Sequence, residues 1–246
     1  MNRIPMIEAA CFRNRPDVRF GMSTRVGGIS PAPFGMNTSF NVGDDEENVR
    51  ANRQRFLAAL DVVPEELAIP RQVHSNVVKV ADKPGSYVEC DALITAERRV
   101  FLSVSVADCV PIFLFDPREQ VVAAIHAGWR GTAAGIVERC LEMLQTTFSS
   151  KPSNLLAFVG PAAGSCCYVV GEDVAERFAP AFVHRANGLR YVDLKAANVA
   201  QLQSVGVPPE AIEVSPLCTI TESRLLHSFR RDRQKSGRMM GIIGLL

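Results

Sequence analysis

The sequence predicts an α+β fold, a mixed α/β sandwich, in a single domain spanning residues 1–246. Three observations lead there. Apolar, β-branched runs of strand length recur along the chain. Segments with helical periodicity lie among them in no regular strand–helix beat, which does not suit a repeated parallel βαβ unit. No internal repeat, low-complexity linker or Pro/Gly cluster divides the chain.

The elements follow in order. Residues 19–23 read as a short strand running into the polar loop Ser23-Thr24-Arg25-Val26-Gly27-Gly28-Ile29-Ser30. Asp44 or Asp45 can cap a helix over 46–60, with Val49, Phe56, Leu57 and Leu60 on one face. Residues 77–80 form a strand after a loop carrying His74. Three more strands are expected at 101–107, 112–115 and 121–125. The first two are separated by Asp108-Cys109-Val110-Pro111, and Asp116-Pro117-Arg118 turns the chain into the third. The clearest helix is 132–148, where Ile136, Val137, Cys140, Leu141, Leu144 and Phe148 make an apolar stripe. A strand at 155–159 ends at Gly160-Pro161. Helices at 171–178 and 195–204 enclose a strand at 190–193. Pro208-Pro209 starts a helix or turn, and 225–246 carries strand-like apolar positions around a Gly- and Arg-rich middle.

Composition narrows the function classes. Hydrophobic residues make up 47% and charged residues 22%, the balance of a soluble protein with a substantial core. A net charge of +1 gives no basic field for nucleic acid or anionic membranes, and aromatics are sparse. No run reaches the roughly 18 apolar residues of a membrane span. Arg3, Glu8, Arg13, Arg15, Asp17 and Arg19 leave no apolar core for a signal peptide. Seven cysteines, an odd number without an export signal, read as reduced thiols in a cytoplasmic protein. The expected partners are small molecules, with no nucleic acid and no membrane, and a monomer is plausible.

His74, Cys109 and His126 carry the chemistry. His74 lies in Arg71-Gln72-Val73-His74-Ser75-Asn76, Cys109 in Ala107-Asp108-Cys109-Val110-Pro111, and His126 opens His126-Ala127-Gly128-Trp129-Arg130-Gly131. The last two follow apolar runs, so each sits at a strand end, where ligands of mixed sheets commonly bind. Two imidazoles and a thiol make an open three-ligand zinc site. They equally make a cysteine nucleophile with its bases. Copper is also admitted by these donors.

These and other motifs resemble the YfiH family, also called laccase-domain protein, polyphenol oxidase, purine nucleoside phosphorylase and peptidoglycan editing factor. The matching segments are Ser23-Thr24-Arg25-Val26-Gly27-Gly28, Gly43-Asp44-Asp45 with Asn48-Val49 and Asn52-Arg53, Gln72-Val73-His74, Asp91-Ala92, the Cys109 and His126 segments, Gly160-Pro161 with Cys167-Tyr168, Cys218-Thr219, His227-Ser228-Phe229-Arg230-Arg231-Asp232 and Gly237-Arg238. They run in order over nearly the whole chain. The resemblance implies a metal at His74, Cys109 and His126, usually zinc and sometimes copper. It implies a compact α/β fold similar to the cysteine-hydrolase-like domain of cytotoxic necrotizing factor toxins. It also implies phosphorolysis of purine nucleosides (adenosine, inosine, methylthioadenosine) and hydrolytic deamination of adenosine. Two positions depart from the family pattern: Val169 stands where an acid is common, and Ala162 where a cysteine is common.

Phosphorolysis needs a held phosphate, and arginine suits phosphate through its planar fork. Arg25, Arg130, Arg230, Arg231 and Arg238 are candidates, with Arg130 favoured because it lies four residues after His126. Asn41 and Gln72 are expected to orient ribose or base, and His227 to contact substrate. Asp108 is the nearest acid–base partner in sequence, and Trp129 either stacks on a base or packs. The alternatives are a cysteine amidohydrolase acting on peptidoglycan precursors, with Cys109 as nucleophile, and a copper-loaded, laccase-like polyphenol oxidase. Four histidines and no His-x-His pair cannot build a multicopper centre.

Overall fold

Alternation along the strand Val121–Ala127 sets the layers of this protein. Val121, Ala123, Ile125 and Ala127 join one apolar cluster, while Val122 and Ala124 join another. Side chains two apart share a face of a strand, so this strand is buried on both sides and lies inside the fold.

The structure is a computed structural model and describes residues 4–246. Its principal strands are β1 (Val18–Ser23), β2 (Leu67–Pro70), β3 (Ala92–Thr95), β4 (Phe101–Val106), β5 (Val110–Asp116), β6 (Val121–Ala127), β7 (Leu156–Val159) and β8 (Met239–Leu245). Its longer helices are α1 (Glu46–Ala58), α2 (Ile136–Phe148) and α3 (Leu194–Ser204). One six-stranded sheet has the order Met6–Ile7, β1, β8, β4, β2, Gly85–Tyr87. The other six-stranded sheet has the order Ile212–Val214, β7, β5, β6, β3, Val78–Val80. A three-stranded sheet joins Val169–Val170, Leu189–Val192 and Val183–Ala186.

The two large sheets pack face to face. Leu102, Val104, Ile243 and Leu245 of the first share a cluster with Phe113, Phe115, Val122, Ala124 and Phe158 of the second. Gly241 permits this approach, because a Cβ there would lie 2.4 Å from the Phe113 ring. The outer face of the second sheet is covered by α2, through Ile136, Val137, Cys140, Leu141 and Leu144, and by Leu194 and Leu202 of α3. The outer face of the first packs Phe101 and Ile242 against Phe56 and Leu57 of α1. The mixed α/β sandwich read from the sequence is therefore the fold.

Several elements differ from the sequence reading for local reasons. The Asp45 side chain accepts from the backbone N–H groups of Glu47 and Asn48 and so starts α1. The long helix expected from 132 is split into Trp129–Ala133 and α2, with Gly135 between them at φ +71°. That conformation is open to glycine and ends a right-handed helix. Strand β6 extends past 125, so His126 lies within it rather than after it. Strands β2 and β3 went unread because neither alternates: β2 ends in Pro70, and all four residues of β3 are buried. Between 171 and 178 only Glu172–Ala175 is α-helical. In 225–246 the one strand is β8, preceded by the short helix Phe229–Asp232. All seven cysteines are free thiols. Among the described residues no helix is long and apolar enough to cross a membrane.

Candidate active site and metal centre

Strand pairing brings Cys109 to His126. The antiparallel register of β5 and β6 sets Val110 opposite Ala127 and Pro111 opposite His126. Cys109, one residue before β5, therefore arrives beside the end of β6. His126 has the parity of Val122 and Ala124, so its ring enters from the side that faces the other sheet. His74 reaches the same point from the loop after β2. Its Nε2 is 3.9 Å from Cys109 Sγ. The two imidazoles meet edge to face, with centroids 4.9 Å apart and planes at 78°. Gly128 leaves room for all three, since a Cβ there would lie 2.9 Å from His74 Cδ2 and 3.1 Å from Cys109 Sγ.

Asp91 fixes this arrangement. It precedes β3, is fully buried, and uses both carboxylate oxygens. Oδ1 accepts from the His126 ring Nδ1 at 2.8 Å and from the His74 backbone N–H at 3.0 Å. Oδ2 accepts from the backbone N–H groups of Val73 (3.2 Å) and Ser75 (2.6 Å) and from the Ser75 hydroxyl (2.8 Å). His74 sits at φ +61°, a left-handed conformation that a non-glycine residue adopts at a cost. The Asp91 bonds hold the loop in it. They also put a proton on His126 Nδ1, which leaves Nε2 directed away from Asp91 as a lone-pair donor.

The charges are coupled. Burial alone would raise the Asp91 carboxyl, but hydrogen bonds from His126 and Ser75 outweigh it and hold it at about 2. Burial opposes ionisation of the Cys109 thiol as well. The facing His126 charge and hydrogen bonds from both histidines bring it down to about 6. Burial would lower His126, whereas Cys109 and Asp91 push it up to about 9. Both shifts favour a thiolate beside an imidazolium in the metal-free site, and a bound cation would take the place of the His126 Nε2 proton. One thiolate and two imidazoles whose donor atoms lie within 4.8 Å of one another, open to a cleft, fit a zinc ion with a vacant ligand position. The same donors fit copper, so donor chemistry leaves the metal open.

The triad lies on a cleft of roughly 620 Å³. Arg53, Arg71, Arg230 and Arg238 line it, as do Phe40, Tyr168 and Phe229. Each of three cleft arginines lies over a cleft aromatic: Arg53 over Phe40 at 4.5 Å, Arg230 over Tyr168 at 4.8 Å and Arg238 over Phe229 at 5.3 Å. Burial raises the Tyr168 phenol to about 12, so it stays a hydrogen-bond donor.

The residues singled out in the sequence divide on this surface. Asn41, Gln72, Arg230, Arg238 and Asp108 line the cleft with the triad. Gln72, however, is held by Ser105, donating to its carbonyl oxygen at 2.9 Å and accepting from its N–H at 2.7 Å. Asp108 is buried, accepts from the Thr219 hydroxyl at 2.6 Å and from the Arg230 N–H at 2.5 Å, and so acts as a brace rather than a free acid–base group. Arg25, Arg130, Arg231 and His227 do not line the cleft. Arg25 donates to the carbonyls of Ser223 and Pro33. Arg130 is exposed and lies 4.3 Å from Trp129, which packs on the core beneath α2. The first turn of the Trp129–Ala133 helix carries it away despite its nearness to His126 in sequence. Arg231 is consumed by the carbonyls of Thr219, Ile220 and Leu226 and by Asp232. His227 is fully buried, and neither ring nitrogen has a hydrogen-bond partner among the described residues. Sequence reasoning missed Arg53, Arg71, Phe40, Tyr168 and the brace role of Asp91. Asn52-Arg53, Asp91-Ala92 and Cys167-Tyr168 were signalled as motif matches, and Arg71 within the His74 segment, each without a role.

Comparison with known proteins identifies the family. The family model described as multi-copper polyphenol oxidoreductase laccase matches residues 19–246. A Deinococcus radiodurans protein named purine nucleoside phosphorylase is 39% identical, the match covering 93% of this chain and 89% of that protein. The Geobacillus stearothermophilus protein named purine nucleoside phosphorylase YlmD is 37% identical over 91% of this chain and 89% of its own. The crystal structure of YlmD from that organism superposes with a TM-score of 0.90 at 35% identity, covering 96% of this chain and 94% of that one. A Bacillus licheniformis hypothetical protein YfiH gives a TM-score of 0.88 at 35% identity, covering 93% of each chain. The chain belongs to the laccase-domain family that includes the YfiH and YlmD proteins.

Proposed function

We propose that this protein is a zinc-dependent purine nucleoside phosphorylase, acting on adenosine, inosine and methylthioadenosine, with adenosine deaminase activity at the same site. The observation that carries the reading is a carboxylate-braced His74–Cys109–His126 triad opening on a cleft whose arginines lie over aromatic rings. Such a surface suits an anion beside a planar base. The names of the relatives support the same substrate class.

Arg230 and Arg238 are the best-placed groups to hold phosphate, and Phe40, Tyr168 and Phe229 to stack a purine. In phosphorolysis a phosphate oxygen bonds to C1′ of the ribose while the C1′–N9 bond breaks. The bonding pair leaves on the purine, which takes up a proton. The guanidinium groups offset the charge brought by phosphate, and Asn41 at the rim is placed to orient the sugar. His74, Cys109 and His126 would hold the zinc, which would supply Lewis acidity there. Asp91 keeps the two histidines in register throughout. We place the protein among small-molecule enzymes of the cytoplasm, working as a monomer in one domain over 1–246, without nucleic-acid or membrane partners.

One observation favours a second reading. The Cys109 thiol, lowered to about 6 beside His126, is the state of a cysteine nucleophile, as an amidohydrolase of peptidoglycan precursors requires. A paired assay separates the two. Metal-quantified protein is given adenosine with and without phosphate, and adenine, inosine and hypoxanthine are resolved chromatographically. Adenine formed only with phosphate, in proportion to zinc, supports the phosphorylase; inosine formed without phosphate supports deamination. Cys109→Ala is expected to lose metal and turnover together. Full activity in a metal-free Cys109→Ala protein would sink the proposal. No nucleoside turnover with zinc bound would turn the test to muramyl–amino-acid conjugates.

A further inference from the structure

A second sulfur cluster lies apart from the triad. The Sγ atoms of Cys166, Cys167 and Cys218 all lie within 4.8 Å of one another, and those of Cys166 and Cys167 are 3.1 Å apart. Two chain segments distant in sequence are brought together for this. A bridge pairs Ala162 with Cys218, and the Thr219 N–H donates to the Ala162 carbonyl at 2.9 Å. The turn that follows carries Cys166 and Cys167 back over Cys218. Its Gly164 makes the space, since a Cβ there would lie 3.3 Å from Cys218 Sγ and 3.4 Å from Cys166 Sγ.

The buried sulfur at the base of the cluster is held in place. The Gly164 N–H donates to Cys218 Sγ at 3.2 Å. Lys195 holds the same loop, donating to the carbonyls of Ser215 and Leu217 at 2.7 and 3.3 Å. Cys218 is buried, Cys167 half-buried and Cys166 exposed, so the cluster is anchored at its base and open at its rim.

We propose that Cys166, Cys167 and Cys218 form a second metal site, for a soft, thiophilic closed-shell cation of the copper(I) or zinc class. Thiolate-only donor sets select such ions over hard ones. Ligation displaces the thiol protons to solvent and needs no oxidant. Tyr168 follows Cys167 directly and lines the catalytic cleft, so an occupied cluster also steadies one wall of that cleft.

Cadmium is the probe, titrated anaerobically into the reduced, metal-stripped full chain. Binding is read by thiolate-to-cadmium charge-transfer absorbance and by cadmium NMR, where each added sulfur ligand deshields the metal. Two equivalents are expected, one sulfur-rich and one nitrogen-rich. Cys109→Ser is expected to remove the nitrogen-rich signal alone, and Cys218→Ser the sulfur-rich signal alone. Cys166→Ser, at an exposed position, repeats the second test without risk to folding and is expected to weaken the sulfur-rich site at least tenfold. A single equivalent, lost in Cys109→Ser and untouched by Cys166→Ser, would overturn the proposal. So would loss of two hydrogens from these thiols in air, reversed by reductant, with no second cadmium bound.

Discussion

Asp91 and Asp108 are both buried at the His74–Cys109–His126 triad, and they hold different things. Asp91 gathers the N-terminal side of the site: the His74 loop, through three backbone N–H groups and the Ser75 hydroxyl, and the ring of His126. Asp108 gathers the C-terminal side, through the Thr219 hydroxyl and the N–H of Arg230. Each stabilises a strained backbone. His74 is at φ +61°, and Asp108 is itself at φ +90°, with its carbonyl accepting from the Ala163 N–H at 2.9 Å. One carboxylate positions the two histidines, and the other positions the arginine and aromatic wall. On the proposed function, this comparison assigns metal affinity to the Asp91 side and substrate affinity to the Asp108 side.

The largest effect is expected at Asp91. Asp91→Ala strips the partner from a buried imidazole and leaves three N–H groups without an acceptor. Loss of one member of such a buried set costs about 3–5 kcal/mol. Denaturant titration of metal-free protein should show that loss. The milder Asp91→Asn should lower zinc affinity by about 10–100-fold, the usual cost of removing a carboxylate behind a ligating histidine. Wild-type zinc affinity in Asp91→Asn would break the division of labour.

The triad was legible in the sequence and Asp91 was not, and the reason is physical. His74, Cys109 and His126 announce themselves by residue type, since a thiol or imidazole in a polar turn after an apolar strand has few structural uses. A carboxylate announces nothing until its partners are known. Asp91 meets His126 because β3 pairs with β6, Ala92 opposite Ile125, and that register is non-local. The apolar stripe of α2 was legible because its period is local. Arg130 was favoured among the arginines for its place four residues after His126, yet it does not line the cleft. Nearness in sequence to His126 counts for little once a helical turn intervenes, whereas Arg53 reaches the cleft from α1.

Asp108→Ala should produce the complementary phenotype. It removes two hydrogen bonds to a charged acceptor, a loss of about 2–3 kcal/mol after local relaxation. Zinc content should stay at the wild-type level. KM for phosphate should rise, because Arg230 and Phe229 lose their anchor while the histidines keep theirs. A fall in zinc content equal to that of Asp91→Asn would show that the two sides are not independent.

Acid should also distinguish the two sides, through His227 on the C-terminal one. Burial first, then the charges of Arg25, Arg238 and Arg231, hold its imidazole down at about 3, against the pull of Asp232. The unfolded chain takes up this proton near 6.5, the folded chain only near 3. Stability from this group is complete above 6.5 and is lost as the pH falls towards 3, by about 1.4 kcal/mol per unit in the interval. Urea titrations from pH 7 to 5 should show stability falling more steeply in the wild type than in His227→Gln, by up to about 1.4 kcal/mol per unit. An unchanged slope in the variant would remove His227 from the account.

Thr219→Val is the smallest and sharpest change. It is nearly isosteric and deletes one hydroxyl donor to Asp108 Oδ1 while leaving the Arg230 N–H on Oδ2. The expected cost is about 1 kcal/mol, since the carboxylate keeps its other partner. If Asp108 works by holding the Arg230 turn, KM for phosphate should scarcely move, because the bond to that turn survives. If it works by tying down the Cys218–Thr219 segment instead, KM should rise as far as in Asp108→Ala. Steady-state kinetics on the two variants side by side therefore tell which of its two bonds carries the wall of the cleft.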